Sequence, residues 1–156
     1  MPSALARLDL HGTGSCASFN IRRTARAITR VYDQAFEDVG IRSTQFAILT
    51  GIAKTQPTSI SALGELLVID RTTLTRSLHL LKKQGLLSIS NRSVKRQRFV
   101  SLTPKGEHTL AVSLPVWRRA QERFVQTVGA DYWSNFRNEL ESLANLALTL
   151  ENAPGK

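Results

Sequence analysis

The feature that most constrains the fold is a pair of long apolar stripes, one near each end of the chain. One stripe belongs to a helix predicted over residues 16–39, and the other lies in a helix predicted after Gly129. Apolar residues recur there every three or four positions, which is the period of one helix face. The stripe residues expected to meet a partner are Ile21, Ile28, Tyr32, Trp133, Phe136, Leu140, Leu143 and Leu150. Such stripes exceed what a small central module covers, so we expect a homodimer, with packing inside one monomer as the alternative.

Shorter elements lie between the two stripes. Residues suited to cap a helix start precede the predicted helices, and these residues are Ser43, Ser61, Asp70, Thr103 and Asp131. The runs LLSIS and RFVSL flank the basic run NRSVKRQ and predict a β-hairpin with an exposed tip. The order predicts a mainly α fold with a small β wing, namely a winged helix-turn-helix with long N- and C-terminal dimerisation helices.

The charge of the chain is concentrated in one segment. The formal net charge is +9, and nine bases lie from Arg71 to Lys105 with no acid between Asp70 and Glu107. The bases and acids elsewhere cancel. A basic excess of this kind favours a polyanionic partner, either nucleic acid or an anionic membrane surface. No apolar run approaches the length that crosses a bilayer, and of the two polyanionic partners we expect nucleic acid and no membrane.

The helix predicted after Asp70 has two different faces. Leu74, Leu78 and Leu81 share the spacing of a buried face, whereas threonines and bases occupy the opposite one. Leu80 lies on neither face, and we expect it to pack toward the wing. Threonine and arginine suit contacts to DNA bases. Lysine and arginine side chains further along a recognition helix suit contacts to phosphates.

Base reading is assigned to Arg71, Thr72 and Thr75, and phosphate contact to Arg76 and Lys83, with His79 as a further phosphate donor. The hairpin tip is expected to enter a minor groove, where arginine senses a narrow A·T-rich geometry. The full set of predicted double-stranded-DNA contacts is Ser61, Arg71, Thr72, Thr73, Thr75, Arg76, His79, Lys83, Arg92, Lys95, Arg96 and Arg98.

The sequence resembles the multiple antibiotic resistance regulator (MarR) family of bacterial transcription factors. The resemblance rests on SALGELLVIDRTTLTRSLHLLKKQGLL and RFVSLTPKG and extends from about Cys16 to Leu150. It implies a homodimer that binds a pseudo-palindromic operator, usually as a repressor. It also implies release of DNA by a small, often phenolic or aromatic, ligand bound between the dimer core and the DNA-binding lobe.

The resemblance and the element order together give the expected organisation. We expect a flexible tail over residues 1–15, a single domain over 16–151 and a C-terminal tail over 152–156. Within that domain, 16–40 and 104–151 are the dimerisation helices and 43–103 is the DNA-binding lobe.

Two positions depart from the family pattern. Val94 stands where the family usually carries an aspartate before its wing arginine, which here is Arg96. Val68 stands where many helix-turn-helix turns have glycine. Because a left-handed backbone is costly for valine, we expect a turn of another type there.

Other functions find less support in the sequence. The histidines His11, His79 and His108 show no metal-ligand spacing, and neither a phosphate loop nor a nucleophile elbow is present, so we expect neither an enzyme nor a cofactor. The single cysteine, Cys16, fits a reducing cytoplasm. Peroxide sensing through Cys16 and nonspecific architectural DNA binding stay open as alternatives. The sensor cysteine of hydroperoxide-responsive relatives aligns with Ser18, and their activating tyrosines align with Ser43 and Phe46.

Overall fold

The computed structural model describes residues 8–90 and 97–152, and its elements divide into two compact units. The first unit runs to Val116 and the second begins at Trp117. The helices are α1 (Ala17–Ala35), α2 (Ser43–Thr55), α3 (Ile60–Leu67), α4 (Arg71–Lys83), α5 (Pro104–Val128) and α6 (Ala130–Asn152). The strands are β1 (Thr58–Ser59), β2 (Leu87–Ile89) and β3 (Phe99–Leu102). Short 3-10 turns span Thr13–Ser15 and Glu37–Val39. The mainly helical architecture with a small antiparallel sheet confirms the predicted fold class.

The core of the first unit is made by helices α2 to α4 and the sheet. Leu49, Ile52, Leu63 and Val100 are completely buried there. The apolar face of α4 joins them, since its three leucines at positions 74, 78 and 81 are at most 1% exposed. The period of the leucines therefore predicted the buried face of α4 correctly.

The sheet contains one strand more than the hairpin expected from the sequence. Strand β3 pairs antiparallel with β2, with Leu87 opposite Leu102, and this confirms the hairpin. The other edge of β3 pairs with β1, with Thr58 opposite Val100. The run PTSI predicts a short extended segment at this place, but two residues are too few to predict a pairing, and only the tertiary structure joins β1 to β3.

The first predicted helix ends earlier than its stripe suggested. Helix α1 stops at Ala35, and the chain continues through a 3-10 turn that ends at Gly40 with φ of 75°. Phe36, which lies between the two, is buried and packs against Phe46 with ring centroids 4.9 Å apart. Val39, the last residue of the predicted helix, therefore lies in the 3-10 turn and not in α1.

Three of the predicted helix caps are wrong. Ser43 is the first residue of α2, and its hydroxyl donates to Asp33 rather than capping. The cap of α3 is Ser59, whose hydroxyl accepts from the Ala62 N–H at 3.1 Å, and not Ser61. Asp131 lies inside the first turn of α6, which begins at Ala130. A tertiary partner, Asp33, engages Ser43, and a neighbouring serine, Ser59, caps α3 in place of Ser61.

The remaining two caps are confirmed. Asp70 Oδ1 accepts from the Thr73 N–H at 2.9 Å at the start of α4. Thr103 Oγ1 accepts from the Gly106 N–H at 3.1 Å at the start of α5. A side chain at Gly106 would overlap the Leu86 carbonyl group, so glycine is required where α5 approaches the backbone that follows α4.

The expectation for Val68 is also wrong. Val68 ends α3 in the left-handed conformation, with φ of 51° and ψ of 48°. The turn is held by hydrogen bonds from the Val68 N–H to the Glu65 carbonyl at 3.2 Å and from the Ile69 N–H to the Gly64 carbonyl at 2.9 Å. These bonds complete a left-handed helix terminus, and they outweigh the steric cost of a β-branched residue there.

The second unit contains the end of α5 and all of α6, with Gly129 at φ of 93° between them. Phe124 meets Trp133 edge to face at 5.3 Å, and Tyr132 stacks on Phe136 at 5.9 Å. None of the described side chains of α6 is buried. No described helix is long and apolar enough to pass through a membrane.

Candidate nucleic-acid interface

The exposed face of α4 is the most distinctive polar surface of the first unit. Because the leucine face is buried, the opposite face is fixed toward solvent. The predicted contact residues of α4, all of them exposed, are Arg71, Thr72, Thr73, Thr75, Arg76, His79 and Lys83. The structure thus brings these seven together along one helix, while their assignment to individual DNA contacts stays a prediction.

The first turn of α4 is fixed by its cap. Hydrogen bonding from Thr73 holds the pKa of the Asp70 carboxyl below its ordinary value, so this carboxylate is charged at neutral pH. The Thr75 hydroxyl donates to the Arg71 carbonyl at 2.6 Å. Its proton is therefore engaged, which leaves the Thr75 oxygen as an acceptor and its methyl group as an apolar contact.

The remaining predicted contacts lie on other elements. Ser61 is exposed on α3, and Arg98 is exposed just before β3. The Ile60 N–H donates to the Arg98 carbonyl at 3.0 Å, which places Arg98 beside the start of α3 and therefore near Ser61. The wing-tip residues Arg92, Lys95 and Arg96, like Val94, lie outside the described residues.

One of the nine clustered bases has a structural role. The Lys105 ammonium donates to the carbonyl of Gln84, the C-terminal cap residue of α4, at 2.8 Å. A cation is favoured at that end of a helix because the last carbonyls are unpaired and the helix dipole is negative there. From the sequence alone, Lys105 could not be distinguished from the other clustered lysines and arginines.

A cavity of about 680 Å³ opens in the same unit between the end of α1, the start of α2 and the end of α4. Its polar lining includes Arg30, Asp33, Glu37, Gln45 and Gln84, and Leu80 is one of its few apolar walls. Leu80 therefore faces this cavity, and the expectation that it packs toward the wing is wrong. The cavity residues were missed from the sequence because they come from three helices and the turn between α1 and α2, and they share no local motif.

Asp33 is the best-connected charged group of the cavity wall. Its Oδ1 accepts from the Ser43 N–H and from the Ser43 hydroxyl, each at 2.7 Å, and its Oδ2 lies 3.5 Å from the Arg42 guanidinium. Burial raises the pKa of Asp33, but the Ser43 hydrogen bonds and Arg42 outweigh it, so the pKa lies below its ordinary value.

Cys16 is exposed and precedes the first residue of α1. The positions that align with the activating tyrosines of peroxide sensors are occupied differently, since Ser43 is bonded to Asp33 and Phe46 packs on Phe36. Within residues 8–90 and 97–152, no group of three His, Cys, Asp or Glu side chains is placed to hold a metal ion.

The capped, solvent-facing α4 and the strands beside it define a winged helix-turn-helix protein. Residues 41–92 match the MarR family. The chain is 29% identical over 102 residues to the transcriptional regulator HosA of Escherichia coli, covering 65% of this chain and 76% of HosA. It is 31% identical to the M. tuberculosis transcriptional regulator MosR, solved in complex with DNA, with a TM-score of 0.79 over 86% of this chain and 98% of MosR.

The transcriptional repressor CouR, bound to a 23-mer DNA duplex, shares the fold at 20% identity, with a TM-score of 0.75 over 88% of this chain and 99% of CouR. Another structure shows CouR bound to p-coumaroyl-CoA. The chain therefore belongs to the MarR family. That family is non-enzymatic, which confirms the expectation that this protein is not an enzyme.

Proposed function

We propose that the protein is a transcriptional regulator that binds double-stranded DNA sequence-specifically through α4. The observation that carries this proposal is the orientation of α4, whose three buried leucines turn an acid-free face of threonines and bases to solvent. Neutralised phosphates supply affinity for any duplex, whereas short side chains at the start of the helix supply sequence preference. MosR, the DNA-bound relative, supports the same use of the fold.

The protein acts as a homodimer on a pseudo-palindromic operator. The exposed apolar side chains of the terminal helices support this part of the proposal, since Ile21 is 47% exposed, Leu143 49% and Leu150 77%. A second copy that covers these faces would place two α4 helices in successive major grooves, about 34–36 Å apart on one side of the duplex.

The regulator acts as a repressor that releases DNA when a small molecule binds. CouR is a transcriptional repressor and supports this direction of regulation, and its complex with p-coumaroyl-CoA supports ligand response. In this chain the cavity beside α4 has the volume of a ligand site, and its wall includes residues of α4 itself. Its charged lining favours a ligand with polar or ionised groups in addition to any aromatic ring.

Binding to the protein's own upstream DNA and to a scrambled duplex tests the proposal at a fixed, stated salt concentration. Arg71→Ala should lower affinity for the upstream DNA by roughly 1–3 kcal/mol and affect the scrambled duplex much less. Lys83→Ala should weaken both duplexes alike and flatten the dependence of affinity on salt. Equal affinity of the unmodified protein for the two duplexes would instead identify a nonspecific architectural protein.

A further inference from the structure

The buried side-chain amide of Gln45 joins the start of α2 to the end of α4. Gln45 is 8% exposed, and its Oε1 accepts from the Arg42 N–H at 2.8 Å. Its Nε2 donates to Gln84 Oε1 at 3.1 Å. Both polar atoms of the Gln45 side-chain amide therefore have partners. The bond to Gln84 joins residues that are 39 positions apart in sequence.

Gln84 connects the end of α4 to a third helix. Its N–H donates to the Leu80 carbonyl at 3.0 Å, which closes the last turn of α4. Its own carbonyl accepts from the Lys105 ammonium at 2.8 Å, and Lys105 belongs to the first turn of α5. The end of α4 is thus bonded to both α2 and α5 through one residue.

The other end of this connection reaches α1. Asp33 of α1 binds Ser43 through two hydrogen bonds and lies within ion-pair distance of Arg42. Residues 42–45 therefore contact α1 on one side and the end of α4 on the other. Asp33, Arg42, Gln45 and Gln84 also line the cavity, so they form a continuous polar wall between the two helices.

The apolar packing of α4 fixes its position along and around its axis less sharply than directional hydrogen bonds do. Burial of leucines is non-directional and depends mainly on area, whereas a hydrogen bond weakens steeply when its angle or length changes. A base contact requires the donor within hydrogen-bond distance of a base edge. Phosphate contacts by long lysine and arginine side chains tolerate larger displacements.

We propose that Gln45 is a positioning residue that sets the register of α4 through its bond to Gln84 and thereby determines sequence preference. This role rests on the proposed function, because it acts on the DNA contacts of α4. It also makes the α1–α2 junction the place from which the position of α4 is controlled.

Hydrogen exchange of the protein alone tests the structural half of the proposal. Gln45→Leu introduces an apolar side chain of similar size and thereby removes both hydrogen bonds. We expect exchange at the amides of Gln84, Gly85 and Leu86 to become roughly three- to tenfold faster, as loss of one ordinary hydrogen bond would produce. Exchange of the Thr73 amide, at the capped start of α4, should stay unchanged.

Two further variants make this test decisive. Thr55→Val is the matched control, because Thr55 also lies on α2 and loses only a hydrogen bond to the Gly51 carbonyl. It should leave the exchange of α4 as it is. Gln84→Glu keeps an acceptor for Gln45 and should retain protection at the end of α4. Equal exchange in Gln45→Leu and the unmodified protein, or a general increase along all of α4, would overturn the proposal.

DNA binding tests the functional half with Gln45→Leu, Gln84→Ala and the double variant. Each single variant should lose roughly three- to tenfold in affinity for the upstream DNA and less than about twofold for the scrambled duplex. The double variant should bind the upstream DNA no more weakly than the single variant of lower affinity, because the same Gln45–Gln84 hydrogen bond is absent from all three. Equal losses on both duplexes, or additive losses, would contradict a positioning role.

The two tests separate the two proposals. If the unmodified protein binds both duplexes equally, sequence-specific regulation fails, and the exchange result still decides whether Gln45 holds α4. If the unmodified protein discriminates and Gln45→Leu discriminates equally well, the proposed function stands and the role of Gln45 is rejected.

Discussion

Helices α4 and α6 carry similar apolar stripes but differ in what covers them. In α4, Leu74, Leu78 and Leu81 are at most 1% exposed, whereas Leu146 and Leu150 of α6 are 64% and 77% exposed. The core of the first unit thus buries the apolar face of α4. The apolar surface of α6 remains open and requires a further surface to bury it. An amphipathic stripe therefore predicts that a helix face will be buried, but it does not predict whether the same chain or another molecule buries it.

This difference predicts unequal responses to truncation, which is the largest effect we expect. Leu78→Ala removes a fully buried side chain, so the free energy of unfolding should fall by about 2–5 kcal/mol. Leu80→Ala is the matched control on the same helix, since Leu80 is 51% exposed and should cost much less. Urea denaturation followed by circular dichroism measures both. Similar losses for the two variants would show that the leucine face of α4 is not its anchor.

The open stripe of α6 is tested by adding charge. In a homodimer that covers this stripe, Leu143→Glu buries an unpaired carboxylate and should weaken association by on the order of 2 kcal/mol. Sedimentation velocity over a range of concentrations measures the shift toward monomer. Asn145→Glu adds the same charge off the stripe and should leave association unchanged. A species distribution identical to that of the unmodified protein would assign the stripe to another role.

A smaller effect on the free energy of unfolding concerns the contact of α1 with α2, which belongs to the same unit as α4. The pKa of Asp33 is lower in the folded state, so its charged form adds stability above the unfolded pKa, and this contribution is lost as pH falls through the folded pKa. Asp33→Asn should therefore cost about 1 kcal/mol at neutral pH and little in strong acid. Unfolding free energies between pH 2 and pH 7 should converge at the acid end, and parallel curves would contradict this assignment.

The smallest expected effect is a gain in stability. Val68→Gly removes the steric cost of a left-handed valine, of about 1–2 kcal/mol, and adds the chain-entropy cost of glycine, of about 0.5–1 kcal/mol. The net increase in unfolding free energy should be below about 1 kcal/mol. Leu66→Gly, inside α3, should instead lower it. A destabilised Val68→Gly protein would show that the Val68 side chain makes favourable contacts that outweigh its strain.

Local patterns were sufficient for much of the architecture. The period of three leucines determined the buried face of α4, and the chemistry of Asp70 and Thr103 determined two helix starts, because these features depend on residues within one or two turns. The cluster of lysines and arginines after Asp70 was equally visible, since the positions of charged residues are read directly from the sequence.

Tertiary structure decided features that join distant segments. Ser43 left its expected cap position because Asp33 of α1 offers two hydrogen bonds, and Val68 adopted a left-handed turn because Gly64 and Glu65 accept bonds there. The cavity and the Gln45–Gln84 bond could not be predicted because a glutamine on one helix carries no local sign of its partner on another. The sequence by itself thus determined faces, caps and charge through short-range spacing. Only the fold decided which polar groups meet, because such pairs depend on how the helices pack.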